Sequence, residues 1–343
     1  MTTSLTNHQV RLAKRPVGLP TAADWSFTAE PAPACPPDGV LVKTLSLSLD
    51  PAMRGWMNEG KSYIAPVAID AVMRAGGVGT VLASNASGFA PGDTVSGLLG
   101  VQELAAVTGG EIARGAVSQI DLSLGTETQW LNTLGMPGMT AYFGLFDVGR
   151  PEAGETVVVS GAAGAVGQTV GQLAKIHGCR VVGIAGGPEK CRFVTEELGF
   201  DACIDYKAGA VKDGLKQHAA EGVDVYFDNV GGEILDAVLT RIRRGARIVI
   251  CGAISQYNAT EAVRGPANYL SLLVNRARME GMVVFDYAAR YPEAIRAIAG
   301  HLKSGRLKSR EDVESGLQRF PDVLNMLFRG ENFGKLVLRV AER

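Results

Sequence analysis

Gly161, Gly164 and Gly167 recur at three-residue spacing in Ser160-Gly-Ala-Ala-Gly-Ala-Val-Gly167. Glycine is needed at such positions where a backbone must turn sharply, approach a pyrophosphate closely and let a helix pack on a strand. Val166, Val170, Leu173 and Ala174 follow at helical spacing, so the glycines open a helix. Its N-terminus offers unpaired N–H groups and a positive dipole end to phosphate. The pattern is GxxGxxG, a variant of GxGxxG, and it gains its meaning from the strand before it and the strand after the helix. The competing reading is a tight strand-to-helix turn that holds no ligand.

A dinucleotide whose ribose carries free hydroxyls usually meets an Asp or Glu at the end of the second strand. Here that end reads Ala185-Gly-Gly-Pro-Glu-Lys190, with no acid at the tip. An absent carboxylate beside a cation favours a 2′-phosphate, for which Lys190 is a point-charge donor and Tyr206 adds a hydroxyl. The alternative for Lys190 is a solvated helix end paired with Glu189 or Glu196. Asp228-Asn229-Val-Gly-Gly232 falls where a fourth strand reaches the ligand-binding edge of such a sheet, and an ordinary Asn/Gly turn reads equally well there. Cys251-Gly-Ala-Ile-Ser-Gln-Tyr257 leaves the fifth strand in the same way. Cys251 fits a small buried apolar residue better than a nucleophile. Tyr257, a phenol on a loop beside a bound dinucleotide, could donate to an oxygen that turns anionic. A chemically neutral loop tyrosine is the plainer alternative.

No zinc is expected. The histidines are His8, His177, His218 and His301, none near another or near Cys35, the sole cysteine of the N-terminal segment. Zinc sites need three or four gathered Cys, His or Glu ligands. His177, before Gly178, suits a helix end instead. No G-x-S-x-G occurs, so no serine triad is expected either.

The elements that must position these residues alternate. Candidate strands are 157–160 (extended back to Thr156), 180–185, 202–205, 223–229, 246–251 and 281–285, with helical patterns between them, such as 211–220 and 234–242. Six strands so arranged argue a doubly wound parallel α/β sheet. Before them, from Gln9 to about Trp130, short alternating runs are broken by turn chemistry such as Pro36-Pro-Asp-Gly39 and Pro91-Gly-Asp93, which suits a small barrel or partly open β domain. Met136 to Leu145 reads as a helix joining the two domains, with Pro137 in its first turn. The closing run from Asn332 to Val340 alternates and is expected to return to the N-terminal β domain. The expected domains are therefore residues 1–130 with 304–343, and residues 131–303.

A chain of 343 residues with 46% hydrophobic content can fill two cores. Lys plus Arg total 34 against 35 Asp plus Glu, so neither a nucleic-acid footprint nor a polybasic membrane signal is present. The first ten residues lack the apolar core of a signal peptide, and no apolar run is long enough to span a bilayer. Five cysteines without a C-x-x-C pair indicate no disulfide framework. A soluble, reduced, cytoplasmic protein is expected.

Much of the chain resembles the zinc-independent medium-chain dehydrogenase/reductases, and specifically the NADPH-dependent alkenal double-bond reductases, the group holding prostaglandin and curcumin reductases. The matching stretches are Ser48-Leu-Asp-Pro-Ala-Met-Arg-Gly55, Met136-Pro-Gly-Met-Thr-Ala-Tyr142, Ser160 to Gly167, Gly222 to Gly232, Cys251 to Asn258, Arg278-Met-Glu-Gly281 and Asn332-Phe-Gly-Lys335. The resemblance implies a Rossmann-type doubly wound parallel sheet plus a mostly β, GroES-like substrate domain. It implies that Gly164, Ala165, Val166 and Gly167 hold the pyrophosphate of NADPH, and Lys190 and Tyr206 its 2′-phosphate. It places Asn229, Cys251, Ile254, Ser255, Tyr257, Met282, Val283, Val284 and Asn332 around the cofactor, with Thr140 near the nicotinamide. It further implies a homodimer through the nucleotide domain. One position departs from the group: Ala52 stands in Asp50-Pro-Ala-Met-Arg54 where an aromatic usually borders the substrate pocket. Arg54, beside it, reads either as a substrate contact or as a structural residue under a loop.

The reaction so implied is reduction of the C=C bond of an α,β-unsaturated ketone or aldehyde. Hydride reaches the β-carbon and charge moves to the carbonyl oxygen. Tyr257, whose reference pKa of about 10 keeps it protonated at neutral pH, would donate there. The α-carbon proton comes from Tyr257 or from water. Two rivals stand beside this reading: an NADPH quinone oxidoreductase on the same fold, and a non-catalytic NADPH-binding protein.

Overall fold

The computed structural model describes residues 5–342. The chain divides into two compact units, one running to Leu131 and resuming at Glu311, the other Asn132–Arg310.

The second unit is built on six parallel strands: β1 (Thr156–Ser160), β2 (Arg180–Ala185), β3 (Ala202–Asp205), β4 (Val223–Asp228), β5 (Ile242–Ile250) and β6 (Arg278–Gly281). Their order across the sheet is β3-β2-β1-β4-β5-β6, every neighbouring pair parallel. That order reverses direction between β1 and β4, the arrangement that opens a crevice at the carboxyl edge. Every residue of β1 and β4 is buried, as expected for central strands covered by helices on both faces. Val158, Val182, Ile204, Leu215, Tyr226 and Val238 share one of its cores.

The strands expected at 180–185 and 202–205 match their bounds. The last two do not. β5 begins at Ile242, so the preceding helix ends at Leu239. The β-branched run expected as a strand over 281–285 is instead the end of β6 and a 3-10 helix, Val284–Arg290. β6 pairs with β5 only from Arg278 to Gly281, opposite Arg247 to Ile250; beyond Ile250 there is no neighbour for the ladder to continue on.

The helix opened by the glycines is Ala165–Ile176. Gly171 lets it approach Phe200, since a Cβ there would fall 1.7 Å from the ring's Cζ. Its other contact is polar. Buried Gln168 and Gln172 each pair both amide atoms with one residue of the extended segment that ends this unit. Gln168 donates to the Arg310 carbonyl (3.1 Å) and accepts from its N–H (2.9 Å). Gln172 does the same with Lys308 (2.9 and 2.7 Å). At the unit's other end, the Asn132 amide donates to Ser309 Oγ (2.9 Å) and the Arg310 carbonyl (3.3 Å).

The first unit is mostly β. A sheet of seven strands includes Val40–Ser48, Gly76–Ser84 and Thr94–Leu98, and the closing strand Lys335–Arg339 pairs antiparallel with Val40–Ser48. Thr6–Leu12 and Trp25–Pro31 form a separate hairpin. Two stretches matched by the resemblance meet here. The ammonium of Lys335, 1% exposed, donates to the Leu49 carbonyl (2.7 Å) and to Asp50 (2.6 Å). Arg54, also buried, donates to the carbonyls of Pro16 (3.0 Å) and Gly18 (3.0 Å), so it holds a loop within this unit. No helix among the described residues is long and apolar enough to cross a membrane.

Candidate functional site

Because all six strands of the second unit are parallel, the loops after them meet at one edge of the sheet. The glycine turn follows β1. Gly161 adopts a left-handed φ of +61°, and its carbonyl lies 2.2 Å from where a Cβ on Gly167 would sit, so no side chain fits inside the turn. Gly164 is the N-cap of the Ala165–Ile176 helix, and no side chain caps it. No side chain therefore occupies the helix end at Ala165, Val166 and Gly167, the arrangement in which first-turn N–H groups are open to an anion such as a pyrophosphate.

Beside this turn, at the β1–β4 crevice, Asn229 donates its backbone N–H to Ser160 Oγ (2.9 Å) and its side-chain amide to the Ser160 carbonyl (2.7 Å). Asp228, 1% exposed, organises the same loop: one carboxyl oxygen accepts from Ser160 Oγ (3.1 Å), Tyr226 Oη (2.8 Å), and the N–H groups of Val230 (3.0 Å) and Gly231 (2.9 Å). Its other oxygen is buried without a hydrogen-bond partner among the described residues. Burial raises the Asp228 carboxyl above its usual range, against the pull of those donors. The sequence offered Asp228 only as part of a turn; an aspartate closing a buried strand before Asn-Val-Gly-Gly was the signal for its bracing role.

The loop after β5 is fastened to the one after β4. Cys251 and Gly252 donate their N–H groups to the Asp228 carbonyl (2.9 and 3.1 Å), Ile254 to that of Asn229 (3.3 Å), and Ser255 Oγ to that of Val230 (2.6 Å). Burial, with Asp228 nearby, pushes the Cys251 thiol up to about 12, so it is a neutral packing group and a poor nucleophile. Tyr257 follows the 3-10 turn Ile254–Gln256 and folds back over this loop, its hydroxyl accepting from the Ala253 N–H (3.1 Å). After β6, Met282 donates its N–H to the Ile250 carbonyl (3.3 Å), and its sulfur lies 2.9 Å from where a Cβ on Gly144 would sit. Val283 follows in extended conformation, and the Val284 carbonyl accepts from Tyr291 (3.0 Å).

At the β2–β3 side, Tyr206 lies over Gly186: a Cβ there would fall 2.7 Å from the phenol oxygen. Lys190 sits in the short helix Pro188–Arg192 that follows. An acid does stand close by, on the neighbouring strand. Asp205, paired in register with Ala185, accepts the N–H groups of Gly187 (2.8 Å) and Lys207 (2.9 Å) and so shapes the turn itself. Thr140 donates its hydroxyl to the Met136 carbonyl (2.8 Å) one turn back in the Met136–Phe143 helix. Asn332 belongs to the other unit, where its amide donates to the Gly334 carbonyl (2.9 Å).

Two segments of the chain match known families. Residues 8–114 match the N-terminal domain of oxidoreductase, and residues 165–300 match zinc-binding dehydrogenase. The donor chemistry does not fit the metal in that second description, since among the described residues no three His, Cys, Asp or Glu side chains gather as a metal ion requires. The chain is 42% identical over 345 residues to the NADPH-dependent curcumin reductase of Escherichia coli (strain K12), covering 98% of this chain and 97% of that one. It is 41% identical over 347 residues to the 2-alkenal reductase (NADP(+)-dependent) of Nicotiana tabacum, covering 99% of each. Among solved structures, CurA in complex with NADPH from Vibrio vulnificus superposes with a TM-score of 0.91 at 43% identity, covering 98% of this chain and 100% of that one. In sequence and in fold, the chain belongs to the zinc-independent medium-chain dehydrogenase/reductases.

Proposed function

We propose that this protein uses NADPH to reduce the C=C bond of α,β-unsaturated ketones and aldehydes. The reading is supported by the curcumin and alkenal reductases among its relatives, and by the NADPH-bound crystal structure it superposes on. The observation that carries it is Tyr257. Its hydroxyl accepts from the Ala253 N–H on the loop leaving β5, at the sheet edge where nicotinamide dinucleotides bind.

The glycine turn and the Ala165–Ile176 helix N-terminus would hold the pyrophosphate, and Lys190 with Tyr206 the 2′-phosphate. Asn229, the loop from Cys251 to Tyr257, Met282 to Val284 and Asn332 would contact the remainder of the coenzyme, with Thr140 beside the nicotinamide. When bound, the coenzyme supplies hydride to the substrate's β-carbon. Tyr257 then donates a hydrogen bond to the carbonyl oxygen as that atom gains charge, a contribution worth about 2.7–4 kcal/mol for one such donor. The nucleotide role falls to the Asn132–Arg310 unit and the substrate role to the β-rich unit.

We further assign a cytoplasmic homodimer. Five cysteines, an odd count with no C-x-x-C pair, support the reducing compartment. In the nucleotide unit, β6 is an edge strand, and Leu270, Leu273 and Val274 just before it are 57%, 75% and 65% exposed, an apolar face suited to a second copy. Light scattering on the purified protein gives the mass directly; a monomer at micromolar concentration rejects the dimer.

The activity is tested by following NADPH absorbance with enones, alkenals and quinones as acceptors and NADH as control. Turnover of enones or alkenals with NADPH is expected. Turnover of quinones alone, or binding of NADPH without oxidation by any acceptor, refutes the proposal.

A further inference from the structure

Gly252 occupies the point where the Tyr257 hydroxyl comes to rest. A Cβ built on Gly252 would lie 2.9 Å from the phenol oxygen and 3.9 Å from its ring carbon Cζ, closer to the oxygen than real Cβ contacts come. The next-nearest backbone atom, the Asn229 carbonyl oxygen, would be at an ordinary 3.6 Å. Gly252 does not adopt a left-handed conformation, so the backbone itself does not require glycine there. What requires it is the hydroxyl.

The adjacent Ala253 N–H donates to that hydroxyl at 3.1 Å. A phenol oxygen that accepts from a backbone N–H is held in place on that side. The acceptance also polarises the O–H bond, which strengthens the hydroxyl as a donor. Gly252 and Ala253 are themselves fixed, the first donating its N–H to the Asp228 carbonyl (3.1 Å) and the second leading into the turn tied to Asn229 and Val230. The hydroxyl is thus anchored to the same loop network that Asp228 and Asn229 tie to Ser160.

We infer that Gly252 and the Ala253 N–H together form a seat for the Tyr257 hydroxyl, and that Gly252 is a positioning residue of the reductase. The inference rests on the reading of Tyr257 as the donor to the carbonyl oxygen. Gly252→Ala adds one methyl where only the tip of a side chain must give way, so the fold persists while the hydroxyl moves. Relieving the 2.9 Å contact to an ordinary 3.4 Å moves the hydroxyl by about 0.5 Å; at about a hundredfold per 1 Å of misplacement, that costs up to about tenfold in rate.

The test is a double-mutant cycle of Gly252→Ala and Tyr257→Phe, measuring kcat with a reducible enone and the dissociation constant of NADPH. Gly252→Ala is expected to lower kcat by about five- to tenfold. The melting temperature is expected to stay close to wild type, which shows the fold intact, and kcat is read at saturating NADPH so that a change in coenzyme affinity does not enter it. In the Tyr257→Phe background, Gly252→Ala is expected to change kcat by less than about twofold, because the hydroxyl it displaces is gone. If Tyr257→Phe lowers kcat but Gly252→Ala does not, the seat is refuted and the Tyr257 reading stands. If Gly252→Ala lowers kcat equally in both backgrounds, it acts through the backbone, and the inference fails. If Tyr257→Phe alone leaves kcat unchanged, the reading of Tyr257 fails first and takes the seat with it.

Discussion

Lys190→Ala tests the proposed 2′-phosphate contact apart from every other part of coenzyme binding. Lys190 is half-buried in the helix Pro188–Arg192, beside the Gly186 position over which Tyr206 lies. A hydrogen bond between an ammonium and a phosphate contributes about 1.5–3 kcal/mol. Partial exposure screens it, which places the loss in the lower half of that range, about 1.5–2 kcal/mol. At 1.4 kcal/mol per tenfold, that corresponds to about 10- to 30-fold weaker NADPH binding. NADH has no 2′-phosphate, so its affinity should not move. Fluorescence or calorimetric titration of wild type and variant with both coenzymes gives the four constants required. Repeating the NADPH titration near 1 M salt, where the screening length falls to about 3 Å, should narrow the gap between the two proteins. Equal loss for NADPH and NADH would place Lys190 in the general scaffold of the site, and no loss for either would remove it from the site. Both results refute the 2′-phosphate assignment.

Two further outcomes follow from buried groups. Burial raises the folded-state pKa of Asp228 above its unfolded value, so its contribution to stability is fully present below the ordinary carboxylate pKa and is lost as pH rises through the raised value. Asp228→Asn removes that titration. The melting temperature of wild type minus that of the variant should therefore fall as pH rises from about 4 to 8; a difference that grows with pH would show the four donors to Asp228 prevailing over burial. Gly171→Ala would drive a methyl against the Phe200 ring, where its Cβ falls within 2.4 Å of three ring carbons. Overpacking of this kind costs about 1–3 kcal/mol, offset by about 1 kcal/mol of better helix propensity. A melting temperature several degrees lower is expected, and an unchanged one would mean that the helix shifts at no cost.

The Asn132–Arg310 unit was legible in the sequence because its signals are local. Arg180-Val-Val-Gly-Ile-Ala185 is an unbroken buried run between a helix and a glycine pair, and the strand keeps those bounds. The glycine turn is likewise a matter of spacing within eight residues. The run after Gly281 is apolar and β-branched, yet it forms a 3-10 helix, because a strand also needs a partner and β5 ends at Ile250. Arg54 shows the same limit. Its neighbours in sequence left open whether it contacts substrate or supports a loop. The answer lay about forty positions away, in the carbonyls of Pro16 and Gly18. The seat for Tyr257 escaped notice because Gly252 reads as one more loop glycine until the phenol is seen folding back onto it.

The paired amides of Gln168 and Gln172, with Asn132 on Ser309 and Arg310, fasten both ends of the Asn132–Arg310 unit. Where the chain enters and where it leaves are cross-linked to each other, and the exit is clamped to the helix that would cradle the pyrophosphate. A segment with adjoining, fastened ends is an excisable module: it can be cut out, or its original ends joined and new ones opened in a surface loop, without unravelling from a loose terminus. The other unit, whose chain is interrupted between Leu131 and Glu311, would need only a short bridge in its place. On the proposed reading that the Asn132–Arg310 unit holds the coenzyme, its exchange between related reductases is a route to altered coenzyme preference.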